Sequence, residues 1–240
     1  MELGDSMKNN RSPYRFDILK NMQFNQEDFM MLEQIKGLYE FRHLYESGMK
    51  EICTKLSILD QEFNVKYDHN PIHHVESRFK DPQSIVNKLN YRGLEVSTQS
   101  AMDNLSDIAG VRVVCNYLSD IYFIERVLLQ QDDIKLVKKM DYIQRPKQNG
   151  YRCLHLVVTI PVYLSEKKVD VMVEIQVRTI AMDFWASLEH ELRYKQNVND
   201  SHLDIQRRLR DVSEKINDLD HEMLEIYVDM KTLNGKDGKM

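Results

Sequence analysis

The stretch Val169-Asp170-Val171-Met172-Val173-Glu174-Ile175-Gln176-Val177-Arg178 decides the fold. Successive side chains of a strand point to opposite faces. Val169, Val171, Val173, Ile175 and Val177 therefore share one face, and Asp170, Met172, Glu174, Gln176 and Arg178 share the other. Such a strand is buried on one side and available for polar chemistry on the other. A helix is predicted to follow from about Ile180 to Tyr194, with an apolar side built on Ile180, Phe184, Leu188 and Leu192.

Upstream, Leu154–Ile160 reads as a second strand that ends before Pro161. Val111–Cys115, after Gly110, reads as a third. Ser119-Asp120 looks like the cap of a helix carrying Ile121, Ile124, Val127 and Leu128. A longer helix is predicted from about Glu27, with Tyr45, Met49, Ile52, Leu56, Leu59 and Phe63 as its apolar stripe and a stop at Asn70-Pro71. Residues 1–26 lack periodicity and are expected to be mobile. Strands mixed with helices imply an α/β (α+β) sheet domain, here over 27–200 with its N-terminal helix.

Residues 201–240 differ. Ile205, Leu209, Val212, Ile216, Leu219, Met223, Ile226, Met230 and Leu233 alternate steps of four and three, the seam of a long helix packed against another helix. That partner is either the N-terminal helix of the same chain or a second subunit, and homo-oligomerisation is the expectation.

A net charge of −5 argues against a broad basic surface for nucleic acid. Cys53, Cys115 and Cys153 are odd in number and widely spaced, which suits buried thiols in a reducing compartment and opposes a disulfide framework or a zinc site. No apolar run approaches the roughly 20 residues that cross a bilayer. A cytoplasmic protein without membrane attachment is expected.

Four segments carry candidate chemistry. In Glu76–Ser84, Arg78 and Lys80 are two close cations, and Ser84 could cap the next helix and bond a phosphate; alone, the segment reads as a charged turn. In Asp107-Ile108-Ala109-Gly110-Val111-Arg112, an Asp at a strand entrance beside a Gly suits a metal ligand next to a nucleotide, although a plain turn explains it too. Asp141–His155 is a loop shaped by Pro146 and Asn149-Gly150, in which Tyr151 offers a stacking face and Lys147, Arg152 and His155 offer charge for phosphates. On the polar strand face, Glu174 could bind a metal or act as a base, and Arg178 could hold a phosphate or pair with a carboxylate.

Taken in order, Arg-x-Lys-x-x-x-Ser, Asp-Ile-Ala-Gly-Val-Arg, Asp-Tyr-Ile…Pro-Lys-x-Asn-Gly-Tyr-Arg-x-Leu-His and Glu-Ile-Gln-Val-Arg-Thr…Phe-Trp-Ala-Ser-Leu-Glu-His resemble the synthetase domain of the RelA/SpoT family over about residues 45–196. The compact length looks like that of a small alarmone synthetase, a stand-alone GTP pyrophosphokinase of the bacterial stringent response. The resemblance implies a mixed-sheet, nucleotidyltransferase-like fold flanked by helices, and Mg²⁺-dependent pyrophosphate transfer from ATP to GDP or GTP, giving (p)ppGpp and AMP. It implies ATP contacts from Arg78, Lys80 and Ser84, with Arg112 by the adenine. It also implies Mg²⁺ on Asp107 and Glu174, with Glu174 as base, and Tyr151 on the guanine. Lys147 and His155 would lie near phosphates, Asn149 in the guanine loop, and Gln176 and Arg178 in support.

A tetramer is the assembly that the resemblance favours. No His-Asp dipeptide occurs, so the hydrolase of the long family members is not expected, and His73, His74 and His190 read as structural. Met140 stands where the resemblance leads one to expect Lys or Arg, which bears on one phosphate contact more than on the overall activity. The competing reading is an inactive nucleotide- or RNA-binding relative. RNA binding is not indicated, and retention of both Asp107 and Glu174 speaks against a pure binder.

Overall fold

The computed structural model describes residues 26–194 and 202–237. The expected mobile segment lies outside the described residues except for Gln26. The chain divides into two units, residues 1–39 and 40–240. The first is described only as the opening turns of α1 (Gln26–Lys66). The second holds the rest of α1, the sheet and the other helices.

Five strands form one sheet: β1 (Ile72–Phe79), β2 (Ala109–Cys115), β3 (Lys135–Asp141), β4 (Leu154–Tyr163) and β5 (Lys168–Thr179). Their spatial order is β1-β2-β5-β4-β3, with only β2 and β5 parallel. The helices are α1, α2 (Pro82–Tyr91), α3 (Thr98–Asn104), α4 (Leu118–Leu129), α5 (Ile180–Tyr194) and α6 (His202–Asp237). β5 is central, and the alternation read from its sequence is realised: Val171, Val173, Ile175 and Val177 are buried.

α1 covers that apolar face with the predicted stripe; Tyr45, Met49, Ile52, Leu56, Leu59 and Phe63 are all buried. It lies so close to β5 at Gly48 that an added Cβ would come within 2.7 Å of Val171 Cγ1. α4 adds Ile121, Ile124 and Leu128 to the same core.

Several expectations need correction. β4 does not end before Pro161 but runs through it to Tyr163. Beyond Thr159 the strand pairs with β5 alone, so a residue without an N–H is tolerated there. β1 and β3 are strands that periodicity did not separate from charged loops. Asp81, not Ser84, caps α2, its carboxylate accepting the Ser84 N–H at 3.0 Å. α4 begins at Leu118 after Tyr117, and Asp120 acts from inside the first turn, accepting the Tyr117 N–H. Of the three thiols, Cys115 and Cys153 are buried while Cys53 is only partly so.

The largest correction concerns the last two helices. Ile180, Phe184, Leu188 and Leu192 are exposed, and α5 instead buries Met182, Trp185, Ala186 and Glu189. The cause is local: α5 leaves β5 without a loop, and the Thr179 hydroxyl oxygen accepts the Met182 N–H, which sets the rotation of the helix. α6 packs on α5 and α4. It turns Leu209, Ser213, Ile216, Asp220, Leu224 and Tyr227 inward, while Val212, Leu219, Met223, Ile226, Met230 and Leu233 face out, 42% to 58% exposed. Most of the predicted seam is thus not used within the chain, because the polar Ser213 and Asp220 take the inner face. Asp220 accepts a hydrogen bond from the Thr179 hydroxyl at 2.7 Å.

Leu56→Ala, at a side chain wholly inside the core, should cost about 3 kcal/mol of unfolding free energy. Ile58→Ala, two residues on and facing solvent, should change it by less than about 0.5 kcal/mol. Denaturant titration of both variants checks the assignment of the α1 faces.

Candidate active site

The polar face of β5 opens on a cleft of ≈ 850 Å³, and seven of the sequence-predicted residues line it: Arg78, Lys80, Ser84, Asp107, Arg112, Glu174 and Gln176. Sheet register explains the convergence. Arg78 lies opposite Gly110, and Gly110 opposite Glu174; one step along, Glu76, Arg112, Gln176 and His155 form the next row. Gly110 places no side chain between Arg78 and Glu174.

Asp107 sits where the chain enters β2. Its Oδ2 accepts from Lys80 Nζ and Lys88 Nζ, both at 2.7 Å, while its Oδ1 is buried and has no hydrogen-bond partner. Burial alone would push this carboxyl up, but hydrogen bonds and charge from the two lysines outweigh it and hold Asp107 below the usual aspartate range. Glu174 is treated similarly. Burial would raise it; His155 Nδ1 at 3.2 Å from Oε1 and the Gln176 amide, donating to Oε2 at 2.7 Å, hold it low, against the repulsion of Asp107.

His155 ties this cleft to the predicted guanine loop. Burial opposes its charged form, yet hydrogen bonding to Cys153 and Glu174 pushes it up to about 9. Its Nε2 lies 2.9 Å from the Tyr151 hydroxyl. Tyr142, Tyr151 and His155 form a cluster of edge-on rings, and Lys147 Nζ stands 4.7 Å over the Tyr151 ring and 4.5 Å over that of Tyr142. Tyr151, Lys147 and His155 therefore gather on one side of Glu174, and the basic cleft lies on the other.

The remaining predicted residues are placed differently. Asn149 uses its amide inside the loop, accepting the Tyr151 N–H at 3.2 Å and donating to Glu189 at 3.0 Å. Arg178 is buried and pairs with Asp183 at 2.7 Å, the carboxylate alternative left open by its sequence. Arg112, which lines the cleft, also pairs with Glu76 at 3.0 Å and Asp183 at 3.5 Å. Arg152 was expected to offer its charge to phosphates; it is instead buried, donating to the Ile143 carbonyl and Glu214. Of the lysines near Met140, Lys139 is held by Glu125. Lys138 is exposed, and Met140 itself lies across from His155. His190 lines the cleft rather than the core, and His73 and His74 lie side by side near the surface of β1.

This arrangement has counterparts among known proteins. The profile described as "Region found in RelA / SpoT proteins" matches residues 77–199. The chain belongs to the RelA/SpoT family. It is 48% identical over 183 residues to GTP pyrophosphokinase YwaC of Bacillus subtilis, covering 76% of this chain and 87% of that one. Among solved structures it is similar to the small alarmone synthetase 1 of Bacillus subtilis bound to its product pppGpp, with a TM-score of 0.74 and 34% identity over 82% of this chain and 99% of that one. The small alarmone synthetase 2 of the same organism gives a TM-score of 0.72 at 45% identity, over 80% and 97%.

Within this family frame, sequence reasoning missed Lys88 and Asp183. Lys88 follows Ser84 by one helical turn, a spacing that would have put it on the same face of α2. Asp183 left no such signal, since its partner Arg178 lies across a strand-to-helix junction. Among the described residues no cluster of three His, Cys, Asp or Glu could close around a metal. Two carboxylates that line one cleft and repel each other, one with a buried free oxygen, do fit a hard cation completed by substrate phosphates.

The raised His155 has a consequence for stability. Its ion pair with Glu174 stabilises the fold fully below about pH 6.5 on the His side and is lost as pH rises through about 9. Glu174→Gln should therefore be less stable than the parent near pH 7, with the gap narrowing toward pH 9.5. A gap that stays constant in urea titrations across this range would contradict the pairing.

Proposed function

We propose that this chain is a GTP pyrophosphokinase of the bacterial cytoplasm that transfers the β,γ-pyrophosphate of ATP to the 3′-hydroxyl of GDP or GTP. The products are (p)ppGpp, the signal of the stringent response, and AMP. One observation carries the reading: Glu174 stands between a cleft of phosphate-seeking cations and a loop that presents Tyr151. The relatives named GTP pyrophosphokinase and the pppGpp complex of a similar enzyme support it.

In this reading Arg78, Lys80 and Ser84 take the ATP phosphates, and Arg112 lies against the adenine. Lys80 and Lys88, which pair with Asp107, turn to phosphate when ATP enters. Tyr151 stacks on the guanine after Lys147 leaves its face for a phosphate, with His155 beside it. Asp107 and Glu174 would hold Mg²⁺, which would supply charge neutralisation on the phosphoryl oxygens. The 3′-oxygen attacks the β-phosphorus in line, the bond from that phosphorus to the α-phosphate oxygen breaks, and AMP leaves. A carboxylate held as low as Glu174 is a good cation ligand and a weak base. It receives the proton late, when the hydroxyl has acidified by bonding to phosphorus.

Purified protein with Mg²⁺, ATP and GDP should yield AMP and a guanosine nucleotide with a 3′-pyrophosphate on anion-exchange chromatography. Free pyrophosphate would instead indicate nucleotidyl transfer, and absence of both would end the enzyme reading. Glu174→Gln should lower turnover by on the order of a thousandfold while nucleotide binding by calorimetry persists.

The exposed stripes of α5 and α6 support a homo-oligomer, with a tetramer favoured by the family resemblance. Leu219→Glu should reduce the mass measured by light scattering. Ile216 is unsuitable for this test because it is buried in the chain's own fold. An unchanged mass in Leu219→Glu would remove α6 from the interface.

A further inference from the structure

The loop between Asp141 and Leu154 is built against the inner face of α6, within two helical turns. Ser213, itself buried, donates its hydroxyl to the Gly150 carbonyl. Gly150 has φ +92°, and a Cβ there would fall 2.8 Å from Ser213 Cβ and 3.2 Å from Arg210 Cα, so the loop backbone touches the helix directly. Glu214 accepts from Arg152 Nη2 at 2.7 Å, while Arg152 Nη1 donates to the Ile143 carbonyl at 3.0 Å. Arg152 thus bridges the two ends of the loop and fastens both to α6. Tyr151 leans on a small cluster of Trp185, Ala186, Ile216 and Leu209, and Trp185 Nε1 donates to the Leu209 carbonyl at 2.9 Å.

The cations of the ATP side take their partners elsewhere: Lys80 and Lys88 from Asp107, Arg112 from Glu76 and Asp183. None of these carboxylates lies on α6, whereas α5 serves both sides of the site through Asp183 and Glu189. A loop carrying Gly150 has backbone freedom to lose on ordering, which Pro146 restricts only locally, and each contact to α6 removes more of it before any ligand arrives.

We propose that Ser213 and Glu214 are positioning residues for the guanine nucleotide. From α6 they hold the loop so that Tyr151 is ready to receive a purine ring, and they do not serve ATP. The inference rests on the reading of Tyr151 as the guanine-stacking face. Neither residue touches substrate in this scheme; each acts through the loop backbone or through Arg152.

The test is a steady-state comparison of Ser213→Ala, Glu214→Gln and the double variant with the parent, together with hydrogen–deuterium exchange of residues 142–153 in nucleotide-free protein. In the double variant KM for GDP should rise about tenfold, one or two lost hydrogen bonds' worth. KM for ATP and kcat at saturation should stay within about twofold, and exchange in the loop should increase. A merely structural defect lowers the active fraction, hence kcat, without moving one KM selectively. The proposal is overturned if KM for GDP is unchanged, if both KM values rise together, or if loop exchange does not increase. A parent enzyme that makes no AMP from ATP and GDP sinks the guanine reading and this inference with it. An active parent with unaltered variants sinks this inference alone.

Discussion

The register of β5 is the constraint on which the rest of the molecule depends. It is laddered on both edges, parallel to β2 and antiparallel to β4. A slip of one residue against either neighbour would exchange Glu174 and Gln176 with Ile175 and Val177, putting carboxylate into the core and valine into the cleft. Two ladders and the α1 stripe oppose that slip. The same register places Gly110 beside Glu174 and His155 beside Gln176, so core packing and site geometry are one specification.

The cleft gathers groups that a core excludes. Asp107 and Glu174 are carboxylates near enough to repel, and each is kept ionised by its own partners: two lysines in one case, His155 and an amide in the other. Buried charges are tolerated when paired and costly when a partner is removed. Lys80, Lys88 and Arg112 are each paired with protein carboxylates. A polyphosphate offers more negative charge than Asp107 does, which gives Lys80 and Lys88 a reason to exchange partners. In the proposed reading, the free oxygen of Asp107 would serve a cation entering with that polyphosphate.

Much of this was legible in the residues themselves. The two-residue period of Val169–Val177 and the four-three steps of Tyr45–Phe63 stated both partners of the main core interface, because burial on one face leaves a periodic mark. The cleft residues were legible only as an ordered set, since Arg78, Asp107 and Glu174 are distant in the chain and each alone resembles a turn or a solvated strand face. What escaped depends on tertiary context. Arg152 and Arg178 look like phosphate ligands until Glu214 and Asp183 are seen beside them. β3 carries charge on both faces, and β1 alternates only after a bulge, with Glu76 and Arg78 toward the cleft and Val75 and Phe79 toward the core, so only their pairing reveals them. The stripe Ile180, Phe184, Leu188, Leu192 is periodic and yet outward-facing: periodicity marks an apolar helix face without saying that the chain's own core covers it.

That ambiguity is sharpest in α6, whose two faces interleave. Val212 and Leu219 look outward, and their neighbours Ser213 and Asp220 look inward to Gly150 and Thr179. Adjacent residues on a helix are separated by about 100° of rotation, so neither face can turn without carrying the other. A subunit seated on the outer stripe would fix the rotation of α6, and fixing that rotation fixes the hydroxyl and carboxylate that hold the loop of Tyr151. In the proposed homo-oligomer, a subunit on the outer stripe would thus act on the loop through the rotation of α6.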